Sequence, residues 1–413
     1  MGTRTYYINP NMSLTNGSDN IIAAGQVGVD NLLKFQVQVR QYADKETGES
    51  KRFLTFPQKM IQDQNGATKY VDICYPSTAE LRFAIQEAVF RQVEELEAFR
   101  EKPVEITGIQ MYQSDQKNIQ AYCNVTFDNF VVKGIRLMKT EEGNTFLAMP
   151  SYQAKDGKWI EHVSCMNNSQ KNKLLDFCKE AYLYRTLNGL SLDGRKEGID
   201  RPPVRNQNCF VKADMWLDEK NEQIAAQGTV SVNEVMKFHC IVWNGKDKAT
   251  GETVHRVSFP QRIVIGKDGS KNYMDICFTI STEMRKAIVD TVLAQTEKMI
   301  LLKNRRPSVT KVTVYPVKEE GALKAYCNLM VDDIAIRGVR LMEGNKGAFV
   351  AMPAVKGNHD NWIDQVIIRQ PDIRKSITEA CNKEFSRQEK VNGQTVPESM
   401  TPKSDQSQHA APC

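Results

Sequence analysis

One block of sequence occurs four times, and this constrains the fold more than any other feature of the chain. Each copy runs from a β-branched or aromatic strand into an x-Pro stop, then a turn, then an amphipathic helix. The stops read Leu54-Thr55-Phe56-Pro57, Leu147-Ala148-Met149-Pro150, Val257-Ser258-Phe259-Pro260 and Val350-Ala351-Met352-Pro353. Their prolines fall 93, 110 and 93 residues apart, so the first and third, like the second and fourth, are 203 apart. The chain is a tandem duplication of a two-unit block, A1-B1-A2-B2. Such a chain must fold as copies of one supersecondary unit, and a residue gains meaning from its counterparts.

Each unit reads in the same order. First strands are predicted over 5–8, 104–112, 209–216 and 310–317. A polar turn leads to a second strand that alternates apolar and polar residues, as in Tyr122-Cys123-Asn124-Val125-Thr126-Phe127. Alternation at period two gives one buried and one wet face. A third strand rich in Val, Ile and Leu follows, then a fourth that ends at the proline, which cannot donate to a ladder. The helices open on capping residues such as Ser77-Thr78 and Ser281-Thr282. They carry one apolar stripe, for example Leu81, Ile85, Val89 and Val93. The expected fold class is therefore α+β: four repeated units, each an antiparallel sheet with one packed helix, arranged as two pseudo-dimeric halves. The boundaries are A1 1–102, B1 103–187, a basic linker 188–208, A2 209–303, B2 304–387 and a tail 388–413. The tail is Ser-, Gln- and Pro-rich and is expected to be disordered.

Composition excludes several classes. Of 413 residues, 41% are apolar and 25% charged, as in ordinary globular domains. No run of 18 apolar residues exists, so no membrane span or membrane partner is expected. The first 20 residues lack a hydrophobic leader. The ten cysteines form no zinc spacing, and Cys74/Cys277 and Cys178/Cys381 recur 203 apart. They read as buried free thiols, which suits a reducing cytoplasm. The five histidines do not recur between units, and no catalytic or phosphate-loop motif is present. No enzyme activity, metal or cofactor is expected.

At the B units the sequence resembles a known family. Tyr326-Cys327-Asn328-Leu329-Met330-Val331-Asp332-Asp333, then Ile336-Arg337-Gly338-Val339-Arg340-Leu341-Met342, then Gly347-Ala348-Phe349-Val350-Ala351-Met352-Pro353 resembles the core of SpoVG, the septation regulator of bacteria. B1 is similar, while A1 and A2 resemble it more weakly, with Phe before the proline and a longer hairpin. The resemblance implies a small sheet-plus-helix domain that dimerises through its sheet and binds nucleic acid. Family members hold about one such unit; this chain holds four.

Two sets of cations recur. Arg82, Lys171, Arg285 and Arg374 open the four helices, although the helix dipole disfavours cations there. They read as phosphate contacts, or as solvated charges paired with Glu80, Glu283 or Asp372; Lys173, Lys286 and Lys375 stand nearby. Lys133 with Arg136, and Arg337 with Arg340, alternate with apolar residues on third strands and so face water. Lys34 and Lys237 are the expected A counterparts. This set reads as a nucleic-acid platform or as protection of strand edges. Trp159 and Trp362, also 203 apart, read as base-stacking residues or as packing over the sheet end. The leading expectation is a nucleic-acid-binding regulator, DNA or RNA, that is monomeric because A1 pairs with B1 and A2 with B2. The alternative is a scaffold that pairs its sheet edges with partner strands.

Overall fold

The computed structural model describes residues 4–15, 20–62, 66–100, 105–154, 156–197, 209–266, 268–318, 321–356 and 362–392. Tail residues 393–413 and linker residues 198–208, including Arg201 and Arg205, lie outside this set. The chain forms two compact bodies, Met1–Thr55 with Phe83–Arg305, and Phe56–Arg82 with Arg306–Cys413.

Every unit builds an antiparallel four-strand meander. In B1 the strands are Ile106–Tyr112, Ile119–Phe127, Phe130–Lys139 and Thr145–Ala148. In B2 they are Val309–Pro316, Leu323–Val331, Ile334–Gly344 and Gly347–Ala351. A1 has Ile8–Leu14, Ile21–Val29, Leu33–Ala43 and Ser50–Thr55; A2 has Val211–Leu217, Ile224–Val232, Met236–Lys246 and Thr253–Ser258. The first A strands start later than the sequence suggested. The turns between second and third strands carry positive φ at Asp30, Asn31, Asp128, Asn233, Glu234 and Asp332, the conformation hairpin turns need and Asx residues tolerate. Within the linker, Asp193–Glu197 adds a strand to the outer edge of Ile106–Tyr112.

The proline has a second role beyond ending the fourth strand. After it the chain makes a two-stranded arm and returns. The carbonyls of Pro57, Pro150, Pro260 and Pro353 accept from Ile73, His162, Ile276 and Gln365 at 2.6, 2.8, 2.9 and 2.8 Å, closing each arm at its base. A three-residue strand follows each closure, and then a helix. The helices are α1 (Ala79–Arg100), α2 (Asn168–Leu187), α3 (Thr282–Leu302) and α4 (Pro371–Asn392). Caps hold their starts: Thr78 Oγ1 accepts from Leu81 N, Asn167 Oδ1 from Gln170 N and Ser281 Oγ from Met284 N. The α1 stripe of Leu81, Ile85, Val89 and Val93 is fully buried. Each such side chain contributes roughly 1.5–3 kcal/mol.

The short strands decide which units belong together, and they correct the expected pairing. Val163–Cys165 of B1 pairs with the third strand of A2, and Cys277–Thr279 of A2 pairs with the third strand of B1. In the other body, Cys74–Pro76 of A1 pairs with the third strand of B2. B1 thus exchanges strands with A2 across the linker, not with its neighbour A1. Sequence proximity is a weak guide because doubling a loop costs only about 0.6 kcal/mol. Fit decides instead: B1 and A2 share one core, where Phe130 stacks on Phe238 at 5.5 Å and Phe238 meets Phe259 edge-on at 5.3 Å. Nine described cysteines are free and seven of them are buried. Burial raises the Cys240 thiol to about 12 and Cys209 to about 11.

Candidate nucleic-acid interface

The exchanged strands place the cations. In each B unit a bulge divides the third strand: one half pairs with the fourth strand, the other with the incoming short strand. Gly134 and Gly338, both at φ 76°, form the bulge. Their N–H groups donate to Asn124 Oδ1 and Asn328 Oδ1 at 3.1 and 3.0 Å. Lys133 and Arg337 stand just before the bulge, and their N–H groups donate to the carbonyls of Ile276 and Ile73, both at 2.7 Å. Their side chains then meet the arriving strand. Lys133 Nζ lies 4.7 Å from the Phe278 ring centroid. Arg337 lies 5.0 Å from that of Tyr75 and donates to its hydroxyl at 2.8 Å. Such cation–π contacts fix the cation and leave part of its donor set outward.

The helix-start cations explain why the A units carry Phe before proline. Arg82 lies over Phe56 at 4.9 Å and Arg285 over Phe259 at 5.3 Å. Arg374 donates to the Val350 carbonyl at 3.0 Å. Lys171 is half-buried near Cys165, whose thiol burial raises to about 11 although the Lys171 charge opposes the shift. Arg82, Arg285 and Arg374 remain exposed.

Three depressions gather these groups. A groove of about 630 Å³ in the smaller body brings Arg82 and Arg337 together with Lys311, Tyr75, Ser77 and Asn328. One of about 620 Å³ in the same body joins Arg374 and Lys375 to Arg369 and Phe349. In the larger body a pocket of about 230 Å³ joins Lys133 and Arg136 to Arg262, His162 and Tyr122. Arg136 is steadied there by the Met149 carbonyl at 3.4 Å and Ser151 Oγ at 3.3 Å. Lys171, Arg285 and Arg340 line none of these three. Lys311, Arg369 and Arg262 escaped the sequence reading; Lys311 and Arg369 have no basic counterpart at the repeat offset, whereas Arg262 has one in Lys59, 203 positions earlier on the A1 arm.

Two expectations are corrected. Lys34 does not face water: it is 4% exposed and ion-paired with Asp214, a partner 180 positions away. Trp159 and Trp362 do not pack over a sheet end but stand 66% and 68% exposed on their arms. Tyr70 and Tyr273, 64% and 67% exposed, hold the equivalent arm position.

No described helix is long and apolar enough to cross a membrane. Residues 104–183 and 308–387 each match the SpoVG family model. A relative from Archaeoglobus fulgidus named as a SpoVG septation protein is 35% identical over 80 residues, 19% of this chain and 93% of that protein. One of the same name from Fusobacterium nucleatum is 36% identical over 80 residues, 19% of this chain and 86% of that protein. A third, from Anaeromyxobacter, is 34% identical over 86 residues, 21% of this chain and 84% of that protein. With two family-matching units and their fold repeated in tandem, the chain belongs to the SpoVG family.

Proposed function

We propose that the chain is a non-catalytic, monomeric, cytoplasmic regulator that binds nucleic acid, DNA or RNA, through its basic grooves. The observation that carries this reading is the convergence of Arg82 and Arg337, from a helix start and a strand, in one open groove. Their aromatic supports hold the guanidinium groups toward an anion without neutralising them. The names of the relatives point to septation as the process regulated.

Salt tests the reading. If about four phosphates are neutralised, log K falls against log salt with a slope of roughly −3.6. Between about 50 and 200 mM, affinity then drops on the order of 100-fold. Reversing Arg82, Lys171, Arg285 and Arg374 together to Glu should weaken binding, through Arg82 and Arg374 that line the grooves, without unfolding the chain, since none lies on the apolar stripe. A normally folded quadruple variant that binds as the parent does removes these residues from the site. A parent that binds neither DNA nor RNA at low salt ends the nucleic-acid reading.

A second reading, a scaffold that adds partner strands, is favoured by one asymmetry. Asp193–Glu197 covers the outer edge of the first B1 strand. Among the described residues nothing pairs with the same edge of Val309–Pro316 in B2. Affinity for a strand-adding partner should depend little on salt, because main-chain hydrogen bonds carry it.

A further inference from the structure

We infer that the ligand of the B sheets is single-stranded nucleic acid, with unpaired bases stacked on two rows of side chains, Tyr112–Tyr122–Arg136 and Tyr315–Tyr326–Arg340. The inference rests on the nucleic-acid reading above and adds the form of the ligand and the surface that reads it.

The rows follow from register. In B1, Tyr112 lies opposite Tyr122, Tyr122 opposite Arg136 and Arg136 opposite Ala148. In B2, Tyr315 lies opposite Tyr326, Tyr326 opposite Arg340 and Arg340 opposite Ala351. Directly paired residues of an antiparallel ladder share a face. Their chain neighbours Met111, Cys123, Leu137, Val314, Cys327 and Leu341 are all buried, so both rows look outward. Tyr112, Tyr326 and Tyr315 are 37%, 44% and 45% exposed. Adjacent strands lie about 4.8 Å apart, so each row runs roughly 10 Å from its first ring to its arginine. That length suits two bases on the rings and a phosphate or third base on the guanidinium.

The chemistry selects against a duplex. In a duplex the base faces are already stacked on one another, and only edges and phosphates are offered. Rings lying on a sheet can use base faces only when the bases are unpaired. Asp193 lies opposite Tyr112 at the far end of the B1 row. A partner protein could also cover an aromatic face, but the third-strand end of each row is a cation; Tyr122 and Arg136 themselves line the basic pocket of B1, and in B2 Asn328, two residues from Tyr326 on the same strand, lines the groove of Arg82 and Arg337. This charge is complementary to a phosphodiester strand. The equivalent rows of the A units, which end likewise two residues before the proline, read Ser13–Ala24–Gln38 and Trp216–Gln227–Ile241 and carry no cation. The fold therefore does not require Tyr-Tyr-Arg at these places.

The test uses the full chain and fluorescence anisotropy at low salt. Labelled oligo(U) and oligo(dT) single strands are compared with a mixed-sequence duplex of equal length. The parent should bind a single strand at least about 10-fold more tightly than the duplex. Tyr122→Ala with Tyr326→Ala should weaken single-strand binding on the order of 10- to 100-fold and leave duplex binding nearly unchanged. Tyr122→Phe with Tyr326→Phe should bind as the parent does, since the ring and not the hydroxyl is used. If the alanine pair does not fold, Tyr122→Leu with Tyr326→Leu keeps the apolar surface without the ring and should show the same loss. Equal parent affinity for duplex and single strand overturns the inference, and so does a folded ring-less variant with parental single-strand affinity; both leave the nucleic-acid reading standing. A parent that binds neither form removes that reading, and this inference with it.

Discussion

The A and B sheets share strand order, helix and arm, yet they differ in their strand cations: Lys237 of A2 is exposed as the sequence suggested, but Lys34 of A1 is not. In the B units Lys133, Arg136, Arg337 and Arg340 are half-exposed beside aromatic rings. In the A units Lys34 is buried against Asp214, and Lys212, 5% exposed, reaches Glu234 at 2.5 Å and the Met12 carbonyl at 2.7 Å. The Lys34–Asp214 and Lys212–Met12 contacts tie A1 to A2. The family match falls on the B units alone. One architecture thus carries two kinds of sheet cation: those of the B units stay half-exposed, while Lys34 and Lys212 of the A units are buried in internal contacts.

The largest effect should come from a cation that looks like its B counterparts in sequence but is structural. Lys34→Met removes the buried ammonium that pairs with Asp214, and we expect a loss of about 3 kcal/mol, measured by urea melts. The matched B change, Arg136→Gln, removes a half-exposed group and should stay within about 0.5 kcal/mol. Similar losses for both would erase the distinction between the two kinds of cation.

The bulge is the next difference. The A third strands run through this stretch in unbroken register, while both B strands shift at glycine. Gly134→Ala and Gly338→Ala force a side chain into the left-handed region, and each should cost about 1–2 kcal/mol. An added Cβ at Gly338 meets nothing within 4 Å, so its cost should be backbone strain alone. A neutral Gly338→Ala in thermal melts would show that the bulge is not held in that conformation. Gly194, at φ 83°, is a harsher site, since a Cβ there would sit 2.2 Å from the Tyr112 ring.

The B1 and A2 junction should also respond to pH. His162 and His239 are held below the usual histidine range, His162 by burial and then by His239, His239 by burial. The folded state therefore favours neutral imidazole, and the unfolded chain binds more protons. Their contribution is full above the unfolded value near 6.5 and is lost as pH falls through it toward the folded value. Melting temperature should drop across that window. The residue 203 positions beyond His162 is Gln365, which makes the same backbone bond to its proline carbonyl. His162→Gln should therefore flatten the profile while keeping the fold, and an unchanged slope would move the proton uptake elsewhere.

What the sequence disclosed follows the range of the physics. Strand stops, caps, turns and buried thiols are local or periodic, and they appeared in order. The exchange of B1 with A2 did not, because nothing local distinguishes Phe278 from Tyr75 as a partner for Lys133. Lys34 misled because its partner lies 180 positions away. The rows of Tyr112 and Tyr315 were hidden because a row exists only once three strands are in register, although both tyrosines recur in the duplicate. Arg82 over Phe56 had a signal in Phe-Pro replacing Met-Pro, but its meaning needed the helix start to be in place.

The arms are where the comparison between A and B should vanish. Tyr70, Trp159, Tyr273 and Trp362 each stand four residues before the short strand and are exposed to nearly the same degree. A ring that stays in water in the folded state has little burial to lose. Replacing each in turn with Ser should therefore change stability by no more than about 0.5 kcal/mol, in A and B arms alike. The arms are closed by the proline-carbonyl bonds and not by these rings. Differential scanning fluorimetry of the four variants is the check. A loss near 2 kcal/mol at Trp159 or Trp362, with Tyr70 and Tyr273 silent, would mean that the B arms pack their aromatic and that the division between A and B extends beyond the sheet faces.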